Sequence, residues 1–193
     1  VSIENRGANA PRGREWRKCI YGEVGTFASE AQARGIQDLA RQYPFIDLSR
    51  IGINGWSGGG SQTLNCMFRY PEIFHTGIAI AAVADQRLYD TVYQERYMNT
   101  PQNNPEGYRK GSPISYAEGL QGNLLLIHGT GDDNVHYQSC EMLVDELVKH
   151  GYVIRNAKTD YDRAFAMDRG MLFKFLQNTQ PEAMDGLTKI YID

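Results

Sequence analysis

Short apolar runs alternate with longer amphipathic stretches along this chain. Runs at 51–53, 76–82 and 123–128 have the length of buried strands. Between and after them, apolar residues recur at helical spacing. The stretches predicted to be helical are 28–43, 61–70, part of 85–98, 137–150 and 167–176.

Strands that alternate with helices indicate an α/β fold, with a mostly parallel sheet and helices on both faces. The segment 99–116 is rich in proline and glycine and is predicted to be a loop. In such sheets, ligands and catalytic groups gather at the carboxyl ends of the strands. The residues that directly follow each predicted strand are therefore the first place to look for chemistry.

A glycine-rich turn follows the first of these strands. Gly55-Trp56-Ser57-Gly58-Gly59 fits the G-x-S-x-G pattern between a strand and a helix. A serine on so sharp a turn needs neighbours without a Cβ. The N-terminus of the following helix offers N–H groups to a developing oxyanion. The pattern predicts a nucleophilic serine at Ser57, and the alternative is a glycine-rich turn without chemistry.

Two acidic residues, Asp132 and Asp133, follow the run at 123–128. Their position predicts that a carboxylate lies on the same sheet edge as Ser57. A serine followed later by an acid matches the chain order of the α/β-hydrolases. The alternative role for this pair is to cap the helix predicted at 137–150.

Composition narrows the function classes. The chain has 193 residues, enough for one sizeable domain, and a net charge of −3 without a basic stripe, which argues against a nucleic-acid partner. It contains no apolar segment long enough to span a membrane. Its three cysteines are far apart and fit neither a metal cluster nor a disulfide framework, so we expect no metal or other cofactor.

Taken together, the motifs resemble the catalytic domain of the dipeptidyl peptidase IV branch of the prolyl oligopeptidase family of serine peptidases. The segments that carry the resemblance are Asn5-Arg6-Gly7, 50–57, 89–98 and 126–136. The resemblance covers about residues 1–150, and 151–193 diverge. It implies one partial α/β-hydrolase domain over 1–193 that lacks its N-terminal strands.

The resemblance also implies roles for individual residues. Ser57 would be the nucleophile, the N–H of Gly58 would form half of the oxyanion hole, and Asp132 would orient the catalytic histidine. Asn134 would bind a substrate carbonyl. The pocket for the residue before the scissile bond, which prefers proline, would be lined by Tyr89, Tyr93 and Val135. From spacing alone, core packing on a helix is the favoured role for Tyr89 and Tyr93.

The chain differs from the family at the position of the catalytic base. None of the four histidines, at 75, 128, 136 and 150, stands where the family keeps its own. Arg163 occupies that place in the segment Thr159-Asp160-Tyr161-Asp162-Arg163, and arginine cannot act as a base. We expect Arg163 to pair with Asp132 in an assembled but inert site, unless the tail at 151–193 is not native or not contiguous.

The resemblance further implies partners that the chain does not contain. They are a peptide substrate, an N-terminal β-propeller and the first strands of the hydrolase sheet, with a homodimer as one assembly. A periplasmic or extracellular location is the corresponding expectation. The predicted function is a serine peptidase of dipeptidyl peptidase type with post-proline preference. The alternatives are a non-catalytic relative that binds peptides or partners through the retained pocket, and an esterase on the same fold.

Overall fold

The computed structural model describes residues 3–7 and 12–152 of the chain. Three parallel strands form one sheet in the order β1-β2-β3. The strands are β1 (Gly52–Trp56), β2 (Thr76–Ile80) and β3 (Asn123–Ile127). The helices are α1 (Gly13–Lys18), α2 (Phe27–Gln42), α3 (Gly58–Arg69), α4 (Thr91–Met98), α5 (Pro105–Gly111) and α6 (Gln138–Lys149). Short 3₁₀ segments span Leu48–Arg50, Gln86–Leu88 and Pro113–Gly119.

The register of the sheet separates its two faces. Ile53 pairs with Gly77, and Gly77 with Leu124, so these residues share one face. Gly77 lies under α3, because a Cβ at this position would meet the Met67 side chain at 2.7 Å. The main core is on this face, where α2, α3 and α6 cover the sheet with buried residues that include Ile36, Leu64, Met67, Leu143 and Leu147.

The opposite face carries a smaller apolar cluster. It consists of Trp56, Ile78, Ile80, Ala81, Leu125 and Ile127. No helix of the described ranges contributes to this cluster. In the described residues, helices thus cover one face of the sheet. That helices also cover the second face stays a prediction.

The order of strands and helices follows the sequence pattern, but α1 was not predicted, and two further differences concern residues 99–116 and the start of α3. The segment 99–116 was predicted to be a loop, which is wrong, since it contains α5 and the start of a 3₁₀ segment. Asn104 caps α5 by accepting the N–H of Gly107 at 3.1 Å, and Pro105 occupies the first turn. Helix α3 begins at Gly58 rather than at residue 61, because the glycines belong to its first turn.

Two predicted features lie outside the described residues, namely the helical stripe at 167–176 and the position of Arg163. Among the residues that are described, no helix combines the length and the apolar character needed to cross a bilayer.

Candidate active site

Ser57 sits at the junction of β1 and α3 in a strained backbone conformation. Its φ is 55° and its ψ is −118°, a region that non-glycine residues rarely occupy. A hydrogen bond to the sheet fixes this conformation, because the N–H of Ser57 donates to the carbonyl oxygen of Ile80 at 2.8 Å. Ser57 is half-buried and Gly58 is exposed. The space beside Gly58 is open, since a Cβ built there meets nothing within 4 Å. The strand-turn-helix geometry predicted around Ser57 is therefore present, and the turn is accessible.

Close packing explains the glycine that opens the motif. A Cβ at Gly55 would lie 2.2 Å from the carbonyl carbon and oxygen of Gly59. Gly60 is similarly constrained, because its Cβ would lie 2.8 Å from the carbonyl oxygen of Ile80. Helix α3 thus starts almost in contact with β1, and this proximity forces the sharp turn at Ser57.

Residues that the sequence analysis did not single out hold the loop beside the elbow. Ala81, directly after β2, also has a positive φ of 46°. The Ser61 hydroxyl accepts the N–H of Val83 at 2.9 Å, and the Ser139 hydroxyl accepts the N–H of Ala84 at 2.9 Å. Two serines on different helices therefore fix the chain at the end of β2. No pattern in the sequence distinguishes these serines from others.

Asp132 follows β3 and lies on the same sheet edge. Its Oδ1 accepts the N–H groups of Asn134 and Val135, both at 3.0 Å, so the carboxylate shapes its own loop. The capping alternative is not observed, because α6 has no side-chain cap at its N-terminus. Since β1 and β3 flank β2 and neighbouring strands lie about 4.8 Å apart, the ends of β1 and β3 are about 10 Å apart. An imidazole with its two hydrogen bonds would fit such a gap.

All four histidines lie within the described residues, and none forms a hydrogen bond with Ser57. His128 is buried, and its Nε2 is 2.7 Å from the carbonyl oxygen of Val135 and 3.6 Å from the Asp132 carboxylate. His75 contacts the carbonyl oxygen of Leu48 at 3.0 Å, and His150 contacts Glu146 at 3.3 Å. The Ser57 hydroxyl receives no side-chain partner from residues 3–7 and 12–152. The described part of the site thus contains the serine predicted as nucleophile and the predicted acid, but no histidine between them.

The residues assigned to the substrate pocket converge from two loops. The Tyr89 hydroxyl is 3.5 Å from Oδ1 of Asn134, which joins the start of α4 to the loop after β3. The rings of Tyr89 and Tyr93 meet edge to face at 5.6 Å. Partial burial and the neighbouring Tyr97 raise the pKa of Tyr93. Tyr93 is nevertheless 44% exposed, which argues against a role in core packing. Val135, the residue after Asn134, is buried.

A serine at a strained strand-to-helix turn, on the carboxyl edge of a parallel sheet and followed by an acid after a later strand, defines an α/β-hydrolase domain. Comparison with known proteins identifies the family. The model of the prolyl oligopeptidase family matches residues 1–166. The chain belongs to the prolyl oligopeptidase family of serine peptidases.

The similar proteins are dipeptidyl peptidases. The chain is 41% identical to dipeptidyl peptidase 8 of Mus musculus over 154 residues, which are 78% of this chain and 17% of the relative. It is 35% identical over 182 residues to the Aspergillus clavatus protein named Probable dipeptidyl peptidase 4, covering 91% of this chain and 23% of the relative. The crystal structure of Porphyromonas gingivalis dipeptidyl peptidase 4 superposes with a TM-score of 0.77 at 40% identity, covering 91% of this chain and 26% of that one. The chain thus spans at most about a quarter of these relatives.

Proposed function

We propose that the protein is a serine peptidase of dipeptidyl peptidase type that cleaves peptides after proline through an acyl-enzyme on Ser57. The observation that carries the proposal is the strained conformation of Ser57 at the N-terminus of α3, beside open space. In this position the hydroxyl can attack a carbonyl carbon. The resulting oxyanion can accept the N–H of Gly58. Collapse of this tetrahedral intermediate breaks the C–N bond of the peptide, and the proton given up by the Ser57 hydroxyl passes by way of a general base to the departing amine. Water then hydrolyses the ester and releases the acyl group.

The preference for proline is supported by the aromatic pair Tyr89 and Tyr93 at the start of α4. The rings of Tyr89 and Tyr93 offer flat walls that suit a pyrrolidine ring. Asn134, held near Tyr89, is exposed and free to donate to a substrate carbonyl with its side-chain amide. These roles were predicted from the family resemblance, and they remain proposals.

Chromogenic dipeptides test this function on the native full-length protein. Gly-Pro-p-nitroanilide is expected to show a kcat/KM at least about tenfold above that of Gly-Ala-p-nitroanilide, the size of effect that shape complementarity in an apolar pocket gives. Tyr93→Ala should lower this ratio, while Tyr43→Ala, on a distant exposed tyrosine, should leave it unchanged. Equal cleavage of the two substrates, or cleavage that persists in Ser57→Ala, would refute the proposal.

A second function, peptide binding without cleavage, is favoured by one observation. The Ser57 hydroxyl has no histidine partner among the described residues. By the family resemblance, Arg163 would stand in the place of the family's histidine. Loss of a triad member costs up to about 10⁶-fold in turnover. A fluorophosphonate probe separates the two functions. Labelling of the native protein favours the peptidase, and labelling that requires Arg163→His favours the binder.

A further inference from the structure

A short turn between β2 and α4 leads into the substrate pocket proposed above. It is the 3₁₀ segment Gln86–Leu88, and Tyr89 follows it directly. Asp85 caps the segment, because its carboxylate accepts the backbone N–H of Arg87 at 2.9 Å. The side chain of Asp85 is only 3% exposed. An aspartate is rarely buried to this extent unless its charge is paired.

The guanidinium of Arg87 is the partner of this carboxylate. Its Nε donates to both carboxylate oxygens of Asp85, at 3.0 and 3.2 Å, and its Nη2 donates to Oδ2 at 2.5 Å. Charge-assisted pairs with two donors fix direction as well as distance. Asp85 therefore holds both the backbone and the side chain of Arg87.

The same turn is also held from a different part of the chain. The N–H of Gln86 donates to the Ser112 hydroxyl at 2.9 Å, and the Gln86 side-chain amide donates to the carbonyl oxygen of Gly111 at 3.3 Å. Gly111 ends α5, and Ser112 follows it and is buried. A shift of the turn would break these hydrogen bonds, so its position is well defined.

The backbone on either side of Tyr89 determines where its ring lies. Asp85 fixes the turn before it, and Asp90 caps α4 after it by accepting the N–H of Tyr93 at 2.7 Å. The side chain of Tyr89 makes looser contacts. Its hydroxyl is 3.5 Å from Oδ1 of Asn134, and its ring centre is 5.6 Å from that of Tyr93. Tyr89 is therefore expected to move if the turn before it moves.

Ser57 is insulated from this turn. Its N–H is bonded to Ile80, at the end of β2. Between Ile80 and the turn, the chain is fixed by the hydroxyls of Ser61 and Ser139, which accept the N–H groups of residues 83 and 84. A displaced turn should therefore move the pocket wall without moving the serine.

We propose that Asp85, through its pair with Arg87, is the positioning residue for Tyr89 and thereby sets the affinity of the pocket for the residue before the scissile bond. Asp85 does not touch the substrate and acts only through the turn at Gln86–Leu88. The assignment of Tyr89 to the pocket rests on the function proposed above. The placement of its ring by Asp85 does not depend on that function.

The test uses the full-length protein with Ser57→Ala, so that no substrate is turned over. Meta-fluorotyrosine incorporated only at position 89 reports the surroundings of that ring by fluorine NMR, and isothermal titration calorimetry measures the dissociation constant of Gly-Pro-p-nitroanilide. Asp85→Ala should shift the fluorine resonance and weaken binding at least about fivefold, the size of effect that loss of one aromatic contact gives.

Asp85→Asn separates positioning from simple loss of folding. The amide oxygen can still accept the N–H of Arg87, but the charged pair with the guanidinium is lost. We expect a smaller shift of the same resonance in the same direction, and an affinity between those of the parent and Asp85→Ala. Because asparagine is nearly the same size and shape as aspartate, this variant also decides the proposal if Asp85→Ala does not fold.

Asp47→Ala provides the matched control. Asp47 caps another 3₁₀ segment, Leu48–Arg50, by accepting the N–H of Ser49 at 2.9 Å, and it pairs with Nε of Arg50 at 2.8 Å. It precedes β1 and so lies at the opposite end of the sheet from the pocket. This variant should leave both the resonance and the affinity unchanged.

The outcomes distinguish this proposal from the proposed function. A parent-like resonance in Asp85→Ala, a parent-like resonance and affinity in Asp85→Asn, or an equal loss of affinity in Asp47→Ala would overturn the role of Asp85. If the parent does not bind the dipeptide, the proposed function fails, and the fluorine resonance alone then decides whether Asp85 places Tyr89.

Discussion

Substitution of Gly55 by alanine is the sharpest test of how the elbow is built. The added Cβ would lie 2.2 Å from backbone atoms of Gly59, whereas ordinary contact begins at 3.4 Å. The start of α3 would have to move by about 1 Å, because neither partner is a flexible side chain. Overpacking of this kind costs about 3 kcal/mol, which lowers the melting temperature of a domain of this size by about 10 °C.

The same displacement moves Ser57. A shift of about 1 Å in a reacting group can cost about 100-fold in rate. Differential scanning calorimetry and the rate of fluorophosphonate labelling of the full-length protein therefore measure two consequences of one contact. Both quantities should fall together in Gly55→Ala.

The neighbouring glycine provides the control. A Cβ at Gly59 meets nothing within 4 Å, and the residue lies inside α3. Gly59→Ala should therefore keep or raise the melting temperature, since alanine favours a helix by up to about 1 kcal/mol relative to glycine. A Gly55→Ala protein that melts like the parent would refute the packing argument.

Three further changes test other contacts. Asp132→Ala removes the acceptor of two backbone N–H groups and should destabilise the domain by about 1–2 kcal/mol in urea unfolding, whereas Asp132→Asn should cost less than half as much. Burial opposes ionisation of Asp85, but hydrogen bonds from Arg87 outweigh burial and keep the pKa of Asp85 below its usual range. The ionised Asp85 therefore stabilises the fold above about pH 4, and this stabilisation is lost as the pH falls through the lowered pKa. The melting temperature of the parent should therefore approach that of Asp85→Asn in acid, and a constant difference would contradict this. Tyr152→Phe removes a hydroxyl shared by two backbone carbonyl oxygens at 2.6 and 2.8 Å and should cost about 1 kcal/mol, which urea unfolding detects.

The elbow could be predicted from the sequence because its signals are local. Glycine at fixed positions around Ser57, an apolar run before it and a helical pattern after it all report on neighbouring residues. Strand β1 and helix α2 were found for the same reason. Helix α5 was missed because its proline and glycine were taken as loop signals, although Asn104 and Pro105 together are typical of a helix start.

Contacts between distant parts of the chain could not be predicted. The Ser61 hydroxyl contacts Val83, and the loop at Glu23 lies near Glu95. These residues are far apart in the sequence, and the periodicity of apolar residues does not predict such contacts. The exposure of Tyr93 likewise depends on where α4 lies relative to the sheet, so spacing alone favoured core packing for a residue that is 44% exposed. The pairing of Arg163 with Asp132 lies outside the described residues and stays a prediction.

The identity of the residue that reacts with a fluorophosphonate tests the central claim most directly. Peptide mapping by mass spectrometry, on the native protein and on Arg163→His, locates the adduct. We predict a single adduct at Ser57 that forms faster in the histidine variant and disappears in Ser57→Ala. If both proteins are folded and neither is modified at Ser57, the serine at this turn is not a nucleophile.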